Sequence, residues 1–404
     1  MTRLNILALS FLFPNCAQRG YGIFVLNRLK AVQYFCNVRV IAPIQWYPLI
    51  GRVGGRRGRA RIPACERIDG MEVFHPRFVV IPRYLKWFDA LSYSWTVSRV
   101  VARRWQREGC DFDLVDVHWT YPDIVAGYLL ARRNGKKFIV TVRGHEALYD
   151  EEVSVRRWLV GFLLRRADFV VTLSAELRDK VLRLGVSQDR ADVVLNGVDL
   201  DKFHYMERDL CRQHLGLPLS GRIIISVGRL TKRKGHHELI RIMPFLMDHA
   251  ATALYLIGGI NREDDYGSVL RKMISELGLT NVHILEDVAQ EELPEWYAAA
   301  DLFCLATVTE GCPNVVLEAL ACGTPVVATN AGAIGDLITQ GENGTVVDSH
   351  DLSSLAQIVN HALEHPWDRK RIAQQMQAWS WRSCAERVLS IYRNVLNGSP
   401  AGIV

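Results

Sequence analysis

The sequence lacks the cysteine spacing of a zinc ribbon or a dithiol redox site, because its nine cysteines form no Cys-x-x-Cys pair. Several of them, including Cys304 and Cys322, stand in apolar runs, which is typical of reduced packing residues in a cytosolic protein. Disulfide-rich secreted scaffolds and structural zinc modules are therefore excluded.

Long hydrophobic runs are also missing. A membrane-spanning helix needs about 20 consecutive apolar residues, and no run in the chain approaches that length. The apolar stretch 4–13 is shorter and no small-residue cleavage site follows it, so we predict a buried strand there rather than a signal peptide. We expect a soluble cytoplasmic protein, or one held peripherally at the inner face of the cell membrane.

Two ligand-binding signatures are absent. The chain has no Gly-x-Gly-x-x-Gly fingerprint with a following ribose-binding acid, which argues against a dinucleotide-dependent oxidoreductase. No Asp-x-Asp stands in a loop suited to a metal-bound diphosphate, so we expect neither a metal ion nor a cofactor. No nucleic-acid recognition motif accompanies the basic residues, and nucleic acid is not expected as a partner.

What is present indicates an ordinary globular protein of two domains, with 404 residues, 49% of them hydrophobic and 23% charged. The charge is unevenly divided. Residues 1–200 carry 31 Lys and Arg against 19 Asp and Glu, whereas residues 201–404 carry 18 against 24. The two halves therefore differ in sign, and the first is the one suited to an anionic partner.

In the first half, apolar runs alternate with helical stretches, which predicts a doubly wound parallel sheet. The predicted strands are 4–13, 38–43, 114–117, 138–142 and 169–174. After the first strand, a loop containing Gly22 precedes a predicted helix over 23–32. Glycine there would let backbone amides approach a phosphate, although a plain flexible loop explains the same pattern.

Polar residues follow two of these predicted strands. His118 comes after the third strand, and Arg143 and His145 follow the fourth. The carboxyl ends of parallel strands share one edge of a sheet, where α/β proteins bind ligands. His118 is either a packing histidine or part of such a site.

Two loops of the second half carry the strongest signals. A strand over 221–228 leads into the glycine-bounded loop GRLTKRKG, whose Arg229 and Lys234 suit a diphosphate. Further on, a strand over 302–306 leads to Glu310, and Pro313 suits the first turn of a helix that contains Glu318. Free amides at the start of that helix favour phosphate.

Together these loops resemble the donor site of retaining glycosyltransferases of family four, which have the GT-B fold. The resemblance rests on E-G-C-P-N-V-V-L-E-A-L-A-C-G-x-P from Glu310 onward, with G-R-L-x-x-x-K-G ahead of it in the family's order. The stretch 116–123, Arg143-Gly144 and the N-G-V-D that begins at Asn196 extend the resemblance over nearly the whole chain.

The resemblance implies an α/β protein of two Rossmann-like, doubly wound parallel-sheet domains facing across a cleft. Residues 1–198 would form the acceptor-binding domain and residues 199–378 the domain that binds the nucleotide-sugar donor. Residues 379–404 would form a helix that crosses back to the first domain.

The family also implies roles for single residues. Arg229 and Lys234 would stabilise the departing diphosphate without a metal ion, Glu310 would contact the donor sugar, and Glu318 would accept hydrogen bonds from the ribose hydroxyls. The acceptor hydroxyl would attack on the face that the diphosphate leaves, so the anomeric configuration is retained. Further donor-binding residues implied by the resemblance are Gly22, Gly228, Asp287, Val288, Gly311, Asn314 and Val315.

The chain departs from the family at two places. Many members have His-Gly where this chain has Arg143-Gly144, so either Arg143 or His145 would face the donor sugar and act in catalysis. After Gly332 the usual Gly-Ile-Pro-Glu is replaced by Ala333-Ile334-Gly335-Asp336, away from the inferred chemistry.

By resemblance, the acceptor is expected to be a lipid-linked or polysaccharide intermediate of a bacterial surface polysaccharide. Segment 51–64 contains five arginines and four glycines, and the stretch 74–108 after it is rich in aromatics and arginine. The two stretches are either a solvated loop with an ordinary amphipathic helix or a cationic face for anionic lipid headgroups.

Other functions compatible with this fold are a non-catalytic nucleotide-sugar-binding subunit and a nucleotide-sugar epimerase or hydrolase. The presence of Arg229, Lys234, Glu310 and Glu318 argues against the first. An epimerase or hydrolase would need a base at the sugar that the sequence does not identify.

Overall fold

The structure is a computed structural model. It describes residues 3–46, 61–80, 86–105, 111–144, 148, 155–259, 265–286, 288–348 and 351–398. The chain folds into two units, one built from Met1–Asn196 with Trp381–Val404 and the other from Gly197–Ser380. Most of the basic segment 51–64, up to residue 60, lies outside the described residues.

The first unit contains an eight-stranded sheet and a separate two-stranded sheet. Its strands are β1 (Asn5–Leu9), β2 (Asn37–Ile41), β3 (Ile44–Trp46), β4 (Cys65–Ile68), β5 (Met71–Phe74), β6 (Arg77–Val79), β7 (Leu114–Val117), β8 (Lys137–Val142), β9 (Phe169–Thr172) and β10 (Ala191–Val193). The large sheet has the order β10-β9-β8-β7-β1-β2-β5-β4, and β3 pairs with β6. All neighbours run parallel except β4, which pairs antiparallel with β5 across a turn at Asp69 and Gly70.

Five helices connect these strands: α1 (Ile23–Val32), α2 (Lys86–Val100), α3 (Asp123–Asn134), α4 (Val155–Leu164) and α5 (Ala175–Arg183). Strands β7 and β9 are buried along their whole length. Continuous burial of this kind is typical of parallel strands with helices on both faces. Ser174 caps α5, since its side chain accepts a hydrogen bond from the Leu177 amide.

The second unit contains a six-stranded parallel sheet of order β13-β12-β11-β14-β15-β16. Its strands are β11 (Arg222–Val227), β12 (Thr252–Ile257), β13 (Val282–Leu285), β14 (Leu302–Leu305), β15 (Val326–Thr329) and β16 (Gly344–Val347). Its helices are α6 (Arg208–His214), α7 (His236–Ile242), α8 (Tyr266–Glu276), α9 (Leu293–Ala299), α10 (Asn314–Ala321), α11 (Ile334–Leu337), α12 (Leu352–Glu364) and α13 (Arg369–Gln375). The predicted doubly wound α/β architecture is thus confirmed in each unit.

The last helix, α14 (Trp381–Asn397), belongs to the first unit and packs against α1. Val388, Tyr392 and Val395 bury one face of α14 in the core of that unit. None of the helices in the described part of the chain is both long and apolar enough to cross a membrane.

Some predicted limits are wrong. The strand predicted over 4–13 ends at Leu9, because the Phe11 amide donates a hydrogen bond to the carboxylate of Asp123 rather than to a neighbouring strand. Pro313 lies one residue before α10, at the N-cap, with an extended ψ of 103° instead of a place in the first turn.

Each of the two large sheets has a switch point, where the strand order changes direction between two parallel strands. In the first unit β1 lies between β2 and β7, and in the second unit β11 lies between β12 and β14. Doubly wound sheets bind ligands outside the carboxyl ends of the strands at such a switch point. The loops after β11 and β14 are therefore the expected ligand-binding loops of the second unit.

Candidate active site

The loops after β11 and β14 meet at the carboxyl edge of the second sheet. The first runs from Gly228 to Gly235 and the second from Ala306 to Pro313. The Val308 amide donates to the Arg233 carbonyl at 3.0 Å, which ties one loop to the other. The two predicted signatures, far apart in sequence, therefore form one surface.

Lys234 and Glu310 form an ion pair at the centre of this surface. The Lys234 Nζ atom lies 2.5 Å from Glu310 Oε1, and the Arg233 Nη1 atom lies 3.6 Å from Glu310 Oε2. The hydroxyl of Thr307 lies 3.1 Å from Glu310 Oε1. Glu310 is only 8% exposed, and these neighbours compensate the cost of burying its charge.

Two glycines allow the close approach of these loops. A Cβ atom on Gly235, whose φ is 71°, would lie 1.7 Å from the Ala306 carbonyl oxygen. One on Gly332, whose φ is 59°, would lie 2.3 Å from the carbonyl oxygen of Glu310. Because only glycine fits both the space and the left-handed backbone, these positions hold the loops in place around Glu310.

Arg229 is the second predicted cation, and its situation differs from that of Lys234. It is exposed and forms no ion pair with any residue that the structure describes. Gly228, just before it, follows the end of β11. The loop thus presents one guanidinium group to solvent beside the internally paired Lys234, an arrangement suited to an incoming anion.

Glu318 lies in α10, where the hydroxyl of Tyr297 donates a hydrogen bond to its Oε2 atom at 2.9 Å. Burial raises the pKa of the Glu318 carboxyl, while the Tyr297 hydrogen bond and the charge of Lys202 oppose that rise. Tyr297 is fully buried, with its ring edge-on to Phe203. Sequence reasoning missed Tyr297 and Lys202, because no motif marks them.

Three further predicted donor residues follow Glu310 closely in the chain: Gly311, Asn314 and Val315. Gly311 precedes α10, and its carbonyl accepts from the Ala333 amide at 2.9 Å. Asn314 and Val315 begin α10, where the first amides of a helix have no acceptor within the helix. Val288 is partly buried after β13. Asp287 lies outside the described residues.

In the first unit, Arg143 and His118 form a buried polar cluster after β8 and β7. Arg143 is 5% exposed and its Nη2 atom lies 2.7 Å from His118 Nδ1. His118 Nε2 lies 3.0 Å from the carboxylate of Asp116, which also accepts from the Tyr392 hydroxyl at 2.5 Å. Burial lowers the pKa of His118, and the nearby Arg143 adds to that effect.

This cluster continues to residues 194–196, where the chain leaves the first unit for the second. Arg28 of α1 is 1% exposed and donates to the Val194 carbonyl at 2.8 Å, and Arg143 lies 3.5 Å from the Asn196 side chain. His118 is fully buried, and Arg143 is held by the His118 ring and the Asn196 side chain. Gly22 stands at the N-terminus of α1, and His145 lies outside the described residues.

Comparison with known families matches both units. Residues 207–379 match the family model described as Glycosyl transferases group 1, and residues 53–202 match the one described as Glycosyltransferase Family 4.

Two curated relatives illustrate the similarity. The D-inositol 3-phosphate glycosyltransferase 1 of Catenulispora acidiphila is 28% identical, over 83% of this chain and 84% of the relative. The GDP-mannose-dependent alpha-(1-6)-phosphatidylinositol monomannoside mannosyltransferase of Mycolicibacterium smegmatis is 29% identical, over 67% of this chain and 73% of the relative. Several other D-inositol 3-phosphate glycosyltransferases match over less than two thirds of their own length.

Solved structures show the same fold. Sucrose-phosphate synthase from Thermosynechococcus elongatus superimposes with a TM-score of 0.78 at 21% identity, over 98% of this chain and 100% of that chain. Anabaena Alr3699/HepE in complex with UDP-glucose superimposes with a TM-score of 0.72 at 19% identity, over 97% and 100% of the two chains.

Proposed function

Since this chain belongs to the glycosyltransferases of group 1 and family 4, we propose that it transfers a sugar from a nucleotide diphosphate-sugar to an acceptor hydroxyl, with retention of configuration and without a metal ion. The observation that carries the proposal is the Lys234–Glu310 pair at the switch point of the second sheet, beside the exposed Arg229. The GT-B fold of the chain is consistent with this chemistry.

Breaking the bond between the anomeric carbon and the diphosphate leaves negative charge on the departing oxygen. Arg229 and Lys234 supply positive charge for it, and the first amides of α10 add donors that need no rearrangement. An ammonium group has three hydrogens, and Glu310 accepts one of them, so Lys234 can hold Glu310 and a phosphate oxygen together.

The new glycosidic bond forms between the acceptor oxygen and the anomeric carbon, on the face that the diphosphate leaves. The proton of the acceptor hydroxyl passes to the departing phosphate oxygen, which balances the charge. No protein side chain acts as a nucleophile in this route. Glu310, held by Lys234, Arg233 and Thr307, is positioned to accept hydrogen bonds from donor sugar hydroxyls.

The nucleotide is contacted further along α10. The Oε2 atom of Glu318 accepts from Tyr297, which leaves the other carboxylate oxygen for the ribose hydroxyls. The relatives and neighbours differ in nucleotide, since the Mycolicibacterium enzyme is named for GDP-mannose and the Anabaena structure holds UDP-glucose. The base is therefore the first property to determine.

We assign acceptor binding to the first unit and propose a lipid-linked or polysaccharide intermediate as the acceptor. The named acceptor of the Mycolicibacterium relative is a phosphatidylinositol mannoside, which supports a lipid-linked substrate for this chain. The excess of basic residues in 1–200 suits an anionic membrane surface at the cytoplasmic face.

A thermal-shift screen against UDP, GDP, ADP, TDP and their common sugar conjugates, without added metal, tests the donor site. A ligand at a hundredfold excess over its Kd stabilises the folded state by about 2.7 kcal/mol, which is a readily measured rise in midpoint. We expect the nucleotides of one base to raise the thermal midpoint by such an amount. A chain that no nucleotide stabilises would contradict the proposal.

Lys234→Ala, with Lys232→Ala as its matched control, tests the diphosphate role. Lys232 stands in the same loop and is exposed. Losing a hydrogen bond to a charged group costs about 1.5–3 kcal/mol, so Lys234→Ala should weaken nucleotide binding by at least about tenfold. Lys234 also holds Glu310, so the thermal midpoint of the unliganded Lys234→Ala protein should fall too. Variant and parent are therefore compared by the rise in midpoint that the nucleotide causes in each.

Equal ligand-induced shifts in Lys234→Ala and the parent would remove Lys234 from the diphosphate site. Tight nucleotide-sugar binding without transfer to any hydroxyl acceptor, or to water, would instead favour a binding subunit.

A further inference from the structure

His236 is a buried histidine beside the loop from Gly228 to Gly235, which we call the diphosphate loop. It follows Gly235 directly and begins α7. Its side chain is fully buried, and neither ring nitrogen forms a hydrogen bond with any residue that the structure describes. Buried polar groups of proteins are nearly always hydrogen-bonded, so an exception beside a candidate active site points to a function.

The ring of His236 faces the backbone at the start of the diphosphate loop. Burial lowers the pKa of His236 to about 4, and the charge of Lys234 adds to that effect. The backbone groups of Gly228 and Arg229 act in the opposite direction, as carbonyl oxygens near a ring N–H do. At neutral pH the ring is therefore uncharged and carries one N–H, which either of these carbonyls can accept.

Both carbonyls are available as acceptors. No residue that the structure describes donates a hydrogen bond to the carbonyl oxygen of Gly228 or of Arg229. The amides on either side are engaged, since the Gly228 amide donates to the Ile257 carbonyl at 2.9 Å and the Leu230 amide to the Gly259 carbonyl at 3.3 Å. The free protein thus holds an unused donor close to two unused acceptors.

The same short backbone segment places the two cations of the loop. A Cβ atom on Gly228 would lie 3.5 Å from the Cδ and Cε atoms of Lys234, so the Lys234 side chain packs along Gly228. A Cβ atom on Gly258 would lie 1.9 Å from the Gly228 carbonyl oxygen, so that carbonyl lies close over Gly258. The peptide after Gly228 carries Arg229 directly. A group that fixes this peptide therefore acts on the guanidinium and the ammonium group together.

We propose that His236 is a positioning residue for the donor diphosphate. When a nucleotide binds, the His236 ring donates to the carbonyl of Gly228 or Arg229 and holds the start of the diphosphate loop. Arg229 and Lys234 are then kept directed at the phosphates. The inference rests on the proposed function, which supplies the diphosphate. Because the hydrogen bond forms in the complex, it contributes to nucleotide affinity and not to the stability of the free protein.

The test replaces His236 by leucine, which is of similar size and has no polar group. Removing an unpartnered buried donor should leave the thermal midpoint of the free protein unchanged or raise it. UDP, GDP, ADP and TDP are titrated calorimetrically into parent and variant. The affinity for the nucleotide that binds should fall roughly three- to tenfold in His236→Leu, because the complex loses one neutral hydrogen bond.

His237→Leu is the matched control. His237 is the next residue of α7 and is 9% exposed, but its Nε2 atom lies 3.0 Å from the Glu238 carboxylate and its ring is edge-on to Tyr266. This variant should lose stability through the broken ion pair and keep the nucleotide affinity of the parent.

Two amide variants test the donor itself. His236→Asn places an N–H near the position of Nδ1, and His236→Gln places one near that of Nε2. We expect one of the two to bind the nucleotide more tightly than His236→Leu does, and the one that recovers affinity identifies the ring nitrogen that donates. A side chain that only fills space would show no such recovery.

Two results would overturn the inference. His236→Leu could bind the nucleotide as tightly as the parent, or its free midpoint could fall while neither amide variant recovers affinity, which would make His236 a packing residue. If none of the four nucleotides binds the parent, the proposed function fails and this inference fails with it. Equal binding by the parent and His236→Leu refutes the role of His236 alone.

Discussion

Replacing Tyr297 by phenylalanine removes a hydroxyl that donates to Glu318, and it tests how that carboxylate is positioned for ribose. The hydrogen bond is 2.9 Å long and the tyrosine ring is fully buried, so no solvent molecule substitutes easily for the lost group. The ring itself should stay in place, because its edge-on contact with Phe203 needs no hydroxyl. The change therefore acts mainly on the carboxylate.

Two effects on donor binding are expected. The freed Glu318 side chain must be immobilised when ribose binds, at a cost of about 0.5–1.5 kcal/mol, which weakens binding roughly two- to tenfold. The Tyr297 hydrogen bond also opposes the rise that burial causes in the pKa of Glu318, so its loss raises that pKa further. Because ribose hydroxyls are bound best by the ionised carboxylate, the loss of binding at acid pH should begin at a higher pH in the variant.

Nucleotide affinity is measured as a function of pH, for the ribonucleotide and for its 2′-deoxy analogue. We expect Tyr297→Phe to reduce the parent's preference for the ribonucleotide and to leave affinity for the analogue nearly unchanged. Tyr255→Phe is the matched control, since Tyr255 is 9% exposed and its hydroxyl makes no hydrogen bond to any residue that the structure describes. A Tyr297→Phe protein with the parent's preference and pH profile would refute the reasoning.

Two more predictions concern the first unit. Burial raises the pKa of Asp123 from 3.8 to about 7, although the Tyr93 hydroxyl and the Phe11 amide donate to it. Since the folded chain holds this proton more tightly, stability present below about pH 4 is lost as pH rises to about 7. Asp123→Asn should remove that slope from the thermal midpoint, and an unchanged slope would contradict it. Neutralising Arg56, Arg57 and Arg59, which lie outside the described residues, should weaken binding to anionic vesicles in low salt. Equal flotation of variant and parent would show that segment 51–64 does not bind the membrane.

Much of the fold follows from local pattern. The helix predicted over 23–32 and the strand predicted over 114–117 have those limits in the structure, because polar residues or glycine bound each apolar run. The pairing of β3 with β6 was not predicted. Each strand has three residues, too few to show an alternation of apolar and polar side chains. The pairing also joins segments about 30 positions apart.

The chemistry of the donor loops was recognisable in the sequence, but the partners of its charges were not. Lys234 and Glu310 are 76 positions apart, and only the sheet order brings β11 beside β14. Tyr297 and Glu318 lie in different helices, and their contact depends on how α9 and α10 pack. A motif gives the type of side chain at a position, whereas the partner of that side chain is set by tertiary packing.

The role of Arg143 stays a prediction. The resemblance implies either Arg143 or His145 near the donor sugar, because Arg143-Gly144 stands where many family members have His-Gly. The structure places it at 5% exposure, with His118 at 2.7 Å and the Asn196 side chain at 3.5 Å. A guanidinium group held by these protein acceptors links the loop after β8 to Asn196, the residue at which the chain leaves the first unit for the second. Its charge also adds to the burial that lowers the pKa of His118, which favours the neutral imidazole. A direct role at the sugar would require Arg143 to leave these contacts, and the cost of exposing a neutral histidine and a buried amide opposes that movement.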